Sequence, residues 1–352
     1  MSSTSVNERK SGIELFKVIA IFLIVLYHAI QTFWGLEVEY NSQIVVIYLM
    51  RTIGQLGNII FIVCSSWFLI EEKRENFKPQ KYIKLLLSST LISIIIFLLL
   101  KLVFRIEINT NSYVVQFFPD LYENNWFIPC YVIFCCLCHF LSDSIRKLNK
   151  KEHLAWCIII YIVYGIIDMF VSIPQCNGLM SFIAIFMTVS FFKYYMSEFN
   201  KDIKKNIFIA IIIFVFYELI YLFDAEETAN ITKLYNPFML PMVICLFNVF
   251  NILEFKSKVI NKLSSYSLFI YCIHENILLR TKIRPKYYYF FLKTFKGQYL
   301  LAIFTCAVGM IIMSLIFSAI FSKLFSKIID KTAAKIEEDF NILVEKISQR
   351  IS

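Results

Sequence analysis

Lys17 and His28 are the residues whose types and spacing most directly suggest chemistry. They lie eleven residues apart in the first apolar segment, GIELFKVIAIFLIVLYHAI. In a helix, eleven residues make three turns plus about 20°, so both side chains share one face, with a rise of about 16 Å between them. An ionisable residue inside a membrane helix is costly and is therefore a candidate functional residue. Each also has a structural explanation, because Lys17 can snorkel to the headgroups and His28 can hydrogen-bond to a neighbouring helix.

These two residue types fit acyl transfer. A neutral imidazole, with a pKa of about 6.5 in solution, can accept a proton from a hydroxyl near neutral pH. A lysine at the inner end of the same helix, together with Lys81 and Lys84 on the next cytoplasmic connection, offers positive charge to a phosphorylated ligand. An acyl-CoA has a phosphate-rich head and a long arm that ends in a thioester, so it fits a donor held in this way. A proton-coupled transporter remains the alternative.

The composition predicts the elements that must position these residues. Hydrophobic residues make up 59% of the 352 residues and charged residues only 17%, which indicates an all-α polytopic membrane protein. Each transmembrane helix needs about 20 mostly apolar residues. About ten spans are predicted, near residues 12–34, 44–70, 82–104, 126–143, 153–173, 178–196, 205–223, 235–254, 262–283 and 299–322.

The distribution of lysine and arginine predicts the orientation. The second, fourth, sixth and eighth connections are rich in these residues, so both termini are expected in the cytoplasm. The connection at 280–296 is basic and aromatic although the alternation places it outside. It either gathers an anionic sugar polymer or lipid phosphate, or lies at the membrane surface with its tyrosines at the interface. Most of the net charge of +9 is carried by lysines and arginines that are expected to anchor the protein at the inner leaflet. The sequence contains no recognised nucleic-acid module.

The chain divides into a transmembrane domain, residues 1–323, and a cytoplasmic tail, residues 324–352. Apolar residues of the tail recur at three, four or seven positions, which predicts an amphipathic helix on the inner leaflet or against a partner. The ten cysteines fall mainly in apolar segments and predict no disulfide framework. Cys135 to His139 match the haem-attachment pattern CxxCH, but within an apolar span neither haem nor another metal is expected.

Several motifs, in order from residue 9 to about 322, resemble those of the integral-membrane acyltransferase-3 family. Its opening motif has a basic residue and a histidine separated by ten residues, as Lys17 and His28 are, and Glu14 takes the usual acidic position. The other similar stretches are GNIIFIVCSSWFLI (57–70, with Ser65), KYIKLL (81–86), NNWFIPCYVIF (124–134, with Trp126) and SYSLFIYCIHENILL (265–279, with His274 and Glu275).

The resemblance implies an O-acyltransferase that uses acetyl-CoA as co-substrate and acylates a hydroxyl of a cell-surface or lipid-linked glycan. His28 is then the essential base, and Lys17, Lys81 and Lys84 are the donor-side cations. A covalent acyl-histidine relay stays open beside direct attack. The rival function is a proton-coupled transporter or flippase of a lipid-linked sugar, with His28 and His274 carrying protons. The composition favours a location in a bacterial cytoplasmic membrane. A second copy of the chain or a glycan-assembly protein is a further expected partner.

Other polar residues have two explanations each. His274 and Glu275, expected near mid-membrane, either orient the reacting groups or form a packing hydrogen bond. Arg51, several residues inside the second span, either contacts the acceptor or an oxyanion, or snorkels to the surface. Trp126 begins the fourth span, where a place in the interfacial aromatic belt competes with a role at the site.

The chain departs from the family pattern at a few positions. Lys17, Lys81 and Lys84 stand where arginine is common, and lysine keeps the charge but loses the bidentate fork for phosphate. Ser66 replaces the glycine expected after Ser65, which can change the course of the second span. Neither change removes the proposed base.

Overall fold

The computed structural model describes residues 10–34, 42–73, 75, 77–108, 126–171, 173, 178–223 and 233–351, and this part of the chain is helical without a strand. Short 3-10 or π-helical turns occupy Arg51–Ile53, Leu99–Val103, Tyr161–Ile167 and Leu279–Ile283. The α-helices are α1 (Ser11–Trp34), α2 (Ser42–Met50), α3 (Leu56–Leu69), α4 (Pro79–Leu98), α5 (Phe127–Arg146), α6 (Lys150–Ile160), α7 (Asp168–Val171), α8 (Leu179–Tyr195), α9 (Ser197–Lys201), α10 (Ile203–Phe223), α11 (Met239–Ile252), α12 (Lys258–Ser265), α13 (Ser267–His274), α14 (Arg284–Thr294) and α15 (Tyr299–Ile351).

The helices confirm an all-α polytopic membrane protein. In the described ranges, α8 and α11 are apolar but shorter than a typical span, and each lies at a predicted one. The predicted ninth span, 262–283, is broken into α12, α13 and a π turn. Seven stretches are long and apolar enough to cross a bilayer: Ser11–Trp34, Ser42–Leu69, Pro79–Val103, Phe127–Arg146, Lys150–Val171, Ile203–Phe223 and Tyr299–Gln349.

Helix α1, which carries Lys17 and His28, lies at the centre of the bundle. It packs against α3, α11, α12, α13 and α15 and is buried along most of its length. Close packing depends on Gly57, because a Cβ there would lie 2.5 Å from the carbonyl oxygen of Ala20. Small residues let membrane helices approach in this way. The position of His28 is therefore fixed by neighbours on several sides.

The break in the ninth span brings distant residues together. The side chain of Asn276 accepts from the backbone N–H of Leu278 at 3.1 Å and donates to Ser93 Oγ on α4 at 2.9 Å. The chain then passes through the π turn and enters α14 at Arg284. Irregular backbone at membrane depth is tolerated where it is buried in protein, as Glu275 and Asn276 are here.

The last helix, α15, is 53 residues long, which corresponds to about 80 Å. It packs against α4, and Lys84 forms an ion pair with its Asp330 at 2.8 Å. The helix continues without a break through the predicted boundary between residues 323 and 324. Ala333 is its last buried residue among those described. The apolar side chains beyond it, such as Phe340 and Leu343, are exposed.

Candidate active site

His28 meets His274 and Glu275 at the centre of the bundle. Nδ1 of His28 lies 2.7 Å from Oε1 of Glu275 and 3.1 Å from Nε2 of His274. The two imidazole rings stack with centroids 5.2 Å apart and an angle of 11° between their planes. His274 is fully buried and Glu275 nearly so, whereas the side chain of His28 keeps 20% of its surface exposed. The exposed ring is therefore that of the predicted base.

Arg284 completes this cluster. Its Nη1 lies 3.0 Å from Glu275 Oε1 and 3.2 Å from His274 Nε2. Because a guanidinium only donates, Nε2 of His274 accepts, which assigns the proton of that ring to Nδ1. Nδ1–H of His28 then donates to the carboxylate. The hydrogen-bond network thus assigns to His28 the tautomer whose Nε2 is an unprotonated acceptor.

The charges of the cluster compensate one another. Oε1 of Glu275 lies 3.0 Å from Arg284 Nη1, and Oε2 lies 3.7 Å from Arg280 Nη1. Arg284 is itself buried. Both arginines belong to the basic segment 280–296, which was expected to be an external connection. Two of its cations instead face the carboxylate of Glu275. A buried charge needs such a partner, because desolvation without one is very costly.

His28, His274 and Glu275 are also the one group of possible metal ligands among the described residues, with donor atoms within 4.8 Å of one another. The Arg284 guanidinium lies within 3.2 Å of two of those atoms, Glu275 Oε1 and His274 Nε2. A cation placed between the ligands would meet this positive charge at close range. The donor set therefore fits a hydrogen-bonded ion-pair cluster better than a metal site.

A polar cavity of about 350 Å³ lies at the Lys17 end of α1. Its lining includes two lysines and several hydroxyls, which suit a phosphorylated ligand, and also two glutamates. On α5 its lining runs from Cys135 to Phe127, a helix rise of about 12 Å. The lining residues are Glu14, Lys17, Phe61, Cys64, Ser65, Phe68, Leu69, Glu72, Lys81, Phe127, Tyr131, Cys135, Ser264, Ser265, Ser267 and Leu268.

Four of the residues singled out in the sequence meet in this cavity. Lys17 pairs with Glu14 at 2.8 Å, and Lys81 and Ser65 lie on other walls. Lys84 does not line the cavity, since its Nζ is directed to Asp330 on α15. The two lysines of the KYIKLL motif are therefore in different environments.

Arg51 and Trp126 belong neither to the cluster nor to the residues that line the cavity. The guanidinium of Arg51 stacks over the ring of Trp34, 4.8 Å from its centroid, at the end of α1. Trp126 packs against Phe127 and Phe182, with ring centroids 5.8 and 6.3 Å apart. These contacts give Arg51 one aromatic partner and Trp126 two.

His139 of the CxxCH sequence has structural contacts. It is buried, and its Nδ1 lies 2.8 Å from the carbonyl oxygen of Cys135 one turn earlier. Its ring packs edge-on against Phe77 and Tyr82. The residue therefore has a hydrogen-bond partner and close packing of its own.

Arg284 and Tyr131 contribute to the site but were not singled out in the sequence. Arg284 was counted with the loop charges, although an acidic residue inside a span needs a cation. Arg280, Lys282 and Arg284 are the first cations that follow Glu275. Tyr131 lies in the similar stretch 124–134, and its hydroxyl is 3.0 Å from Ser65 Oγ. A hydroxyl on an otherwise apolar run was its only signal.

Comparison with known proteins identifies the family. The model of the acyltransferase-3 family, described as an acyltransferase domain, matches residues 10–323, nearly the whole chain. No curated protein and no solved structure matches the chain. The match covers the helices that carry the His28 cluster and the polar cavity. The chain therefore belongs to the acyltransferase-3 family and is a multi-pass membrane acyltransferase.

Proposed function

We propose that the protein transfers an acyl group, most simply acetyl, from cytoplasmic acyl-CoA to a hydroxyl of a cell-surface or lipid-linked glycan. The observation that carries this proposal is the contact between His28 Nδ1 and Glu275 Oε1 at 2.7 Å. A carboxylate on Nδ1 orients the imidazole and leaves Nε2 to accept a proton, as in other enzymes that pair histidine with an acid. The partial exposure of His28 supports access by a substrate.

The polar cavity supports a phosphorylated donor. Lys17 and Lys81 line it, and phosphate oxygens form charge-assisted hydrogen bonds with ammonium groups. The positive-inside pattern puts this end of α1 at the cytoplasmic face, where acyl-CoA is available. Lys84, which pairs with Asp330, is left out of the proposed donor site. His28 lies about three helical turns above Lys17, so the donor is bound by its head and reacts at its far end.

The proposed reaction is a direct displacement at the thioester. The acceptor hydroxyl gives its proton to His28 Nε2 as its oxygen attacks the acyl carbonyl carbon. The carbon–sulfur bond then breaks, and the CoA thiolate takes the proton from the imidazolium. Glu275 stabilises the imidazolium in between, because its carboxylate accepts from Nδ1–H at 2.7 Å. The products are the acyl ester and free CoA thiol.

The test is acyl transfer by purified protein in lipid nanodiscs with labelled acetyl-CoA and a glycan acceptor. We expect acceptor-dependent release of CoA thiol, and His28→Ala should lower kcat by about 10²–10⁴, the usual contribution of a general base. His139→Ala is the matched control, since it removes a buried histidine outside the cluster. Full activity of His28→Ala contradicts the assignment. Sugar flux across the membrane without acyl-CoA, and no thiol release, would support the transporter instead.

A further inference from the structure

Ser264 and Ser267 are the observation from which this inference starts. They flank the turn between α12 and α13 and are only 6% and 2% exposed. Neither Oγ has a hydrogen-bond partner among the residues that the structure describes, and both residues line the polar cavity. Buried hydroxyls without partners are uncommon because desolvation of the group is not compensated.

Several other helical hydroxyls of the protein bond to their own helix, although Ser66 Oγ on α3 has no partner among the described residues. Ser88 donates to the carbonyl of Lys84, and Ser318 donates to that of Ser314, each at 2.7 Å. Such bonds to the preceding turn are the usual way to bury serine in a helix. Ser264 and Ser267 depart from this pattern at the wall of a cavity. Their hydroxyls therefore keep unused hydrogen-bonding capacity beside the cavity.

The position of the two serines relates them to the His28 cluster. Ser264, Ser267, Tyr271 and His274 are spaced by three, four and three residues, so they lie along one face of α12 and α13. Tyr266 at the turn keeps right-handed helical angles, which preserves this alignment. Ser267 and His274 are seven positions apart, a rise of about 10 Å.

One wall of the cavity packs against the helix that carries His274. Phe127 lines it and packs against the ring of Tyr271, with centroids 5.3 Å apart, one turn before His274. Lys17 and Lys81 line the same cavity together with the two serines. The lining thus includes both cations for phosphates and neutral hydroxyls on the helix that leads to His274.

We propose that Ser264 and Ser267 bind the pantetheine arm of the donor through its amide groups. A hydroxyl can both donate and accept, so it can pair with an amide carbonyl or an amide N–H. Lys17 and Lys81 bind the phosphates, and the thioester points to His28. This inference rests on the proposed function. It adds that the protein prefers a thioester of pantetheine to a thioester of a simple alkyl thiol.

The experiment compares three donors in nanodiscs. Acetyl-CoA has phosphates and amides, S-acetyl pantetheine has amides only, and S-ethyl thioacetate has neither. Ser264→Ala and Ser267→Ala should each raise KM for acetyl-CoA about 5-fold, and the double variant about 25-fold, with kcat nearly unchanged. The double variant should raise KM for S-acetyl pantetheine by the same factor as KM for acetyl-CoA. It should leave kcat/KM for S-ethyl thioacetate unaltered. Lys17→Gln should raise KM for acetyl-CoA alone.

Two further measurements separate binding from folding. Ser318→Ala is the matched control, because its hydroxyl bonds to its own helix away from the cavity, and it should leave KM unchanged. The melting temperature of the ligand-free double variant should be equal to or above that of the wild type, since unpaired buried hydroxyls are removed. A structural role for the serines would lower it.

The outcomes are distinct. An unchanged KM for both pantetheine donors in the double variant overturns the inference, as does a raised KM with a lowered melting temperature. Acyl carrier protein carries the same arm, and its use in place of acetyl-CoA with the same sensitivity to both substitutions would keep the inference and change the donor. A wild-type protein that releases thiol from no donor refutes the proposed function itself.

Discussion

Replacing Glu275 by glutamine tests the central arrangement most directly. The carboxylate accepts from His28 at 2.7 Å and from Arg284 at 3.0 Å. Glutamine keeps the shape and one acceptor oxygen but loses the charge. His28 is then no longer held in one tautomer by an anion, and its imidazolium is no longer stabilised. We expect a large loss in kcat with little change in KM for acyl-CoA.

The size of the loss follows from comparable pairs. Replacing the carboxylate that orients a catalytic histidine by its amide costs about 10⁴ in kcat where the tautomer is inverted. Because the glutamine oxygen can still accept from His28, we expect about 10²–10⁴, or about 2.7–5.4 kcal/mol of barrier. Stability should fall by about 3–5 kcal/mol, since Arg284 remains buried without its main partner.

A second variant separates catalysis from folding. Glu275→Gln with Arg284→Met removes both charges of the buried pair and should recover much of the stability, because an apolar replacement avoids desolvation. It should not recover kcat. Glu218→Gln is the matched control, as Glu218 is another carboxylate of a membrane helix that bonds to Thr52 outside the cluster. Thiol release at saturating substrate and thermal unfolding in nanodiscs are the two measurements.

Two results would refute this reasoning. One is a kcat within threefold of the wild type for stably folded Glu275→Gln. The other is recovery of kcat by the double variant in step with its stability, which would make Glu275 a packing residue. In either case His28 would need another source of orientation.

Two further predictions concern the donor site and the packing of α1. Lys81→Gln should raise KM for acetyl-CoA about tenfold in steady-state kinetics, whereas Lys84→Gln should leave it unchanged, because Lys84 pairs with Asp330 outside the cavity. Equal effects of both would contradict the cavity assignment. Gly57→Ala should lower the free energy of unfolding by about 1–3 kcal/mol in denaturant titrations, since its Cβ would lie 2.5 Å from the Ala20 oxygen and this clash outweighs the helix propensity gain of up to about 1 kcal/mol.

Part of this architecture could be predicted from the sequence alone. Apolar runs of sufficient length predict spans because the bilayer sets the length and leaves few alternatives to a helix. Periodicity then places Lys17 and His28 on one face, since both belong to one regular helix. His274 and Glu275 were recognised as ionisable residues within a span, with a packing role left open.

The contacts between helices could not be predicted in the same way. Periodicity relates residues within a helix but does not say which helices meet. Arg284 lies beyond the π turn at Leu279–Ile283, so its return to Glu275 depends on an irregular segment that no repeat describes. Lys81 and Lys84 differ for a similar reason, because Asp330, the partner of Lys84, belongs to a helix more than 200 positions later in the chain.

The separation of His28 and Glu275 along the chain has a consequence for biogenesis. The imidazole emerges from the ribosome with the first helix, and the carboxylate follows 247 residues later. Until α13 has entered the bundle, the histidine lacks the anion that orients it. A partly translated or wrongly inserted chain is therefore expected to be catalytically silent. Turnover then also reports correct insertion of both ends of the membrane domain.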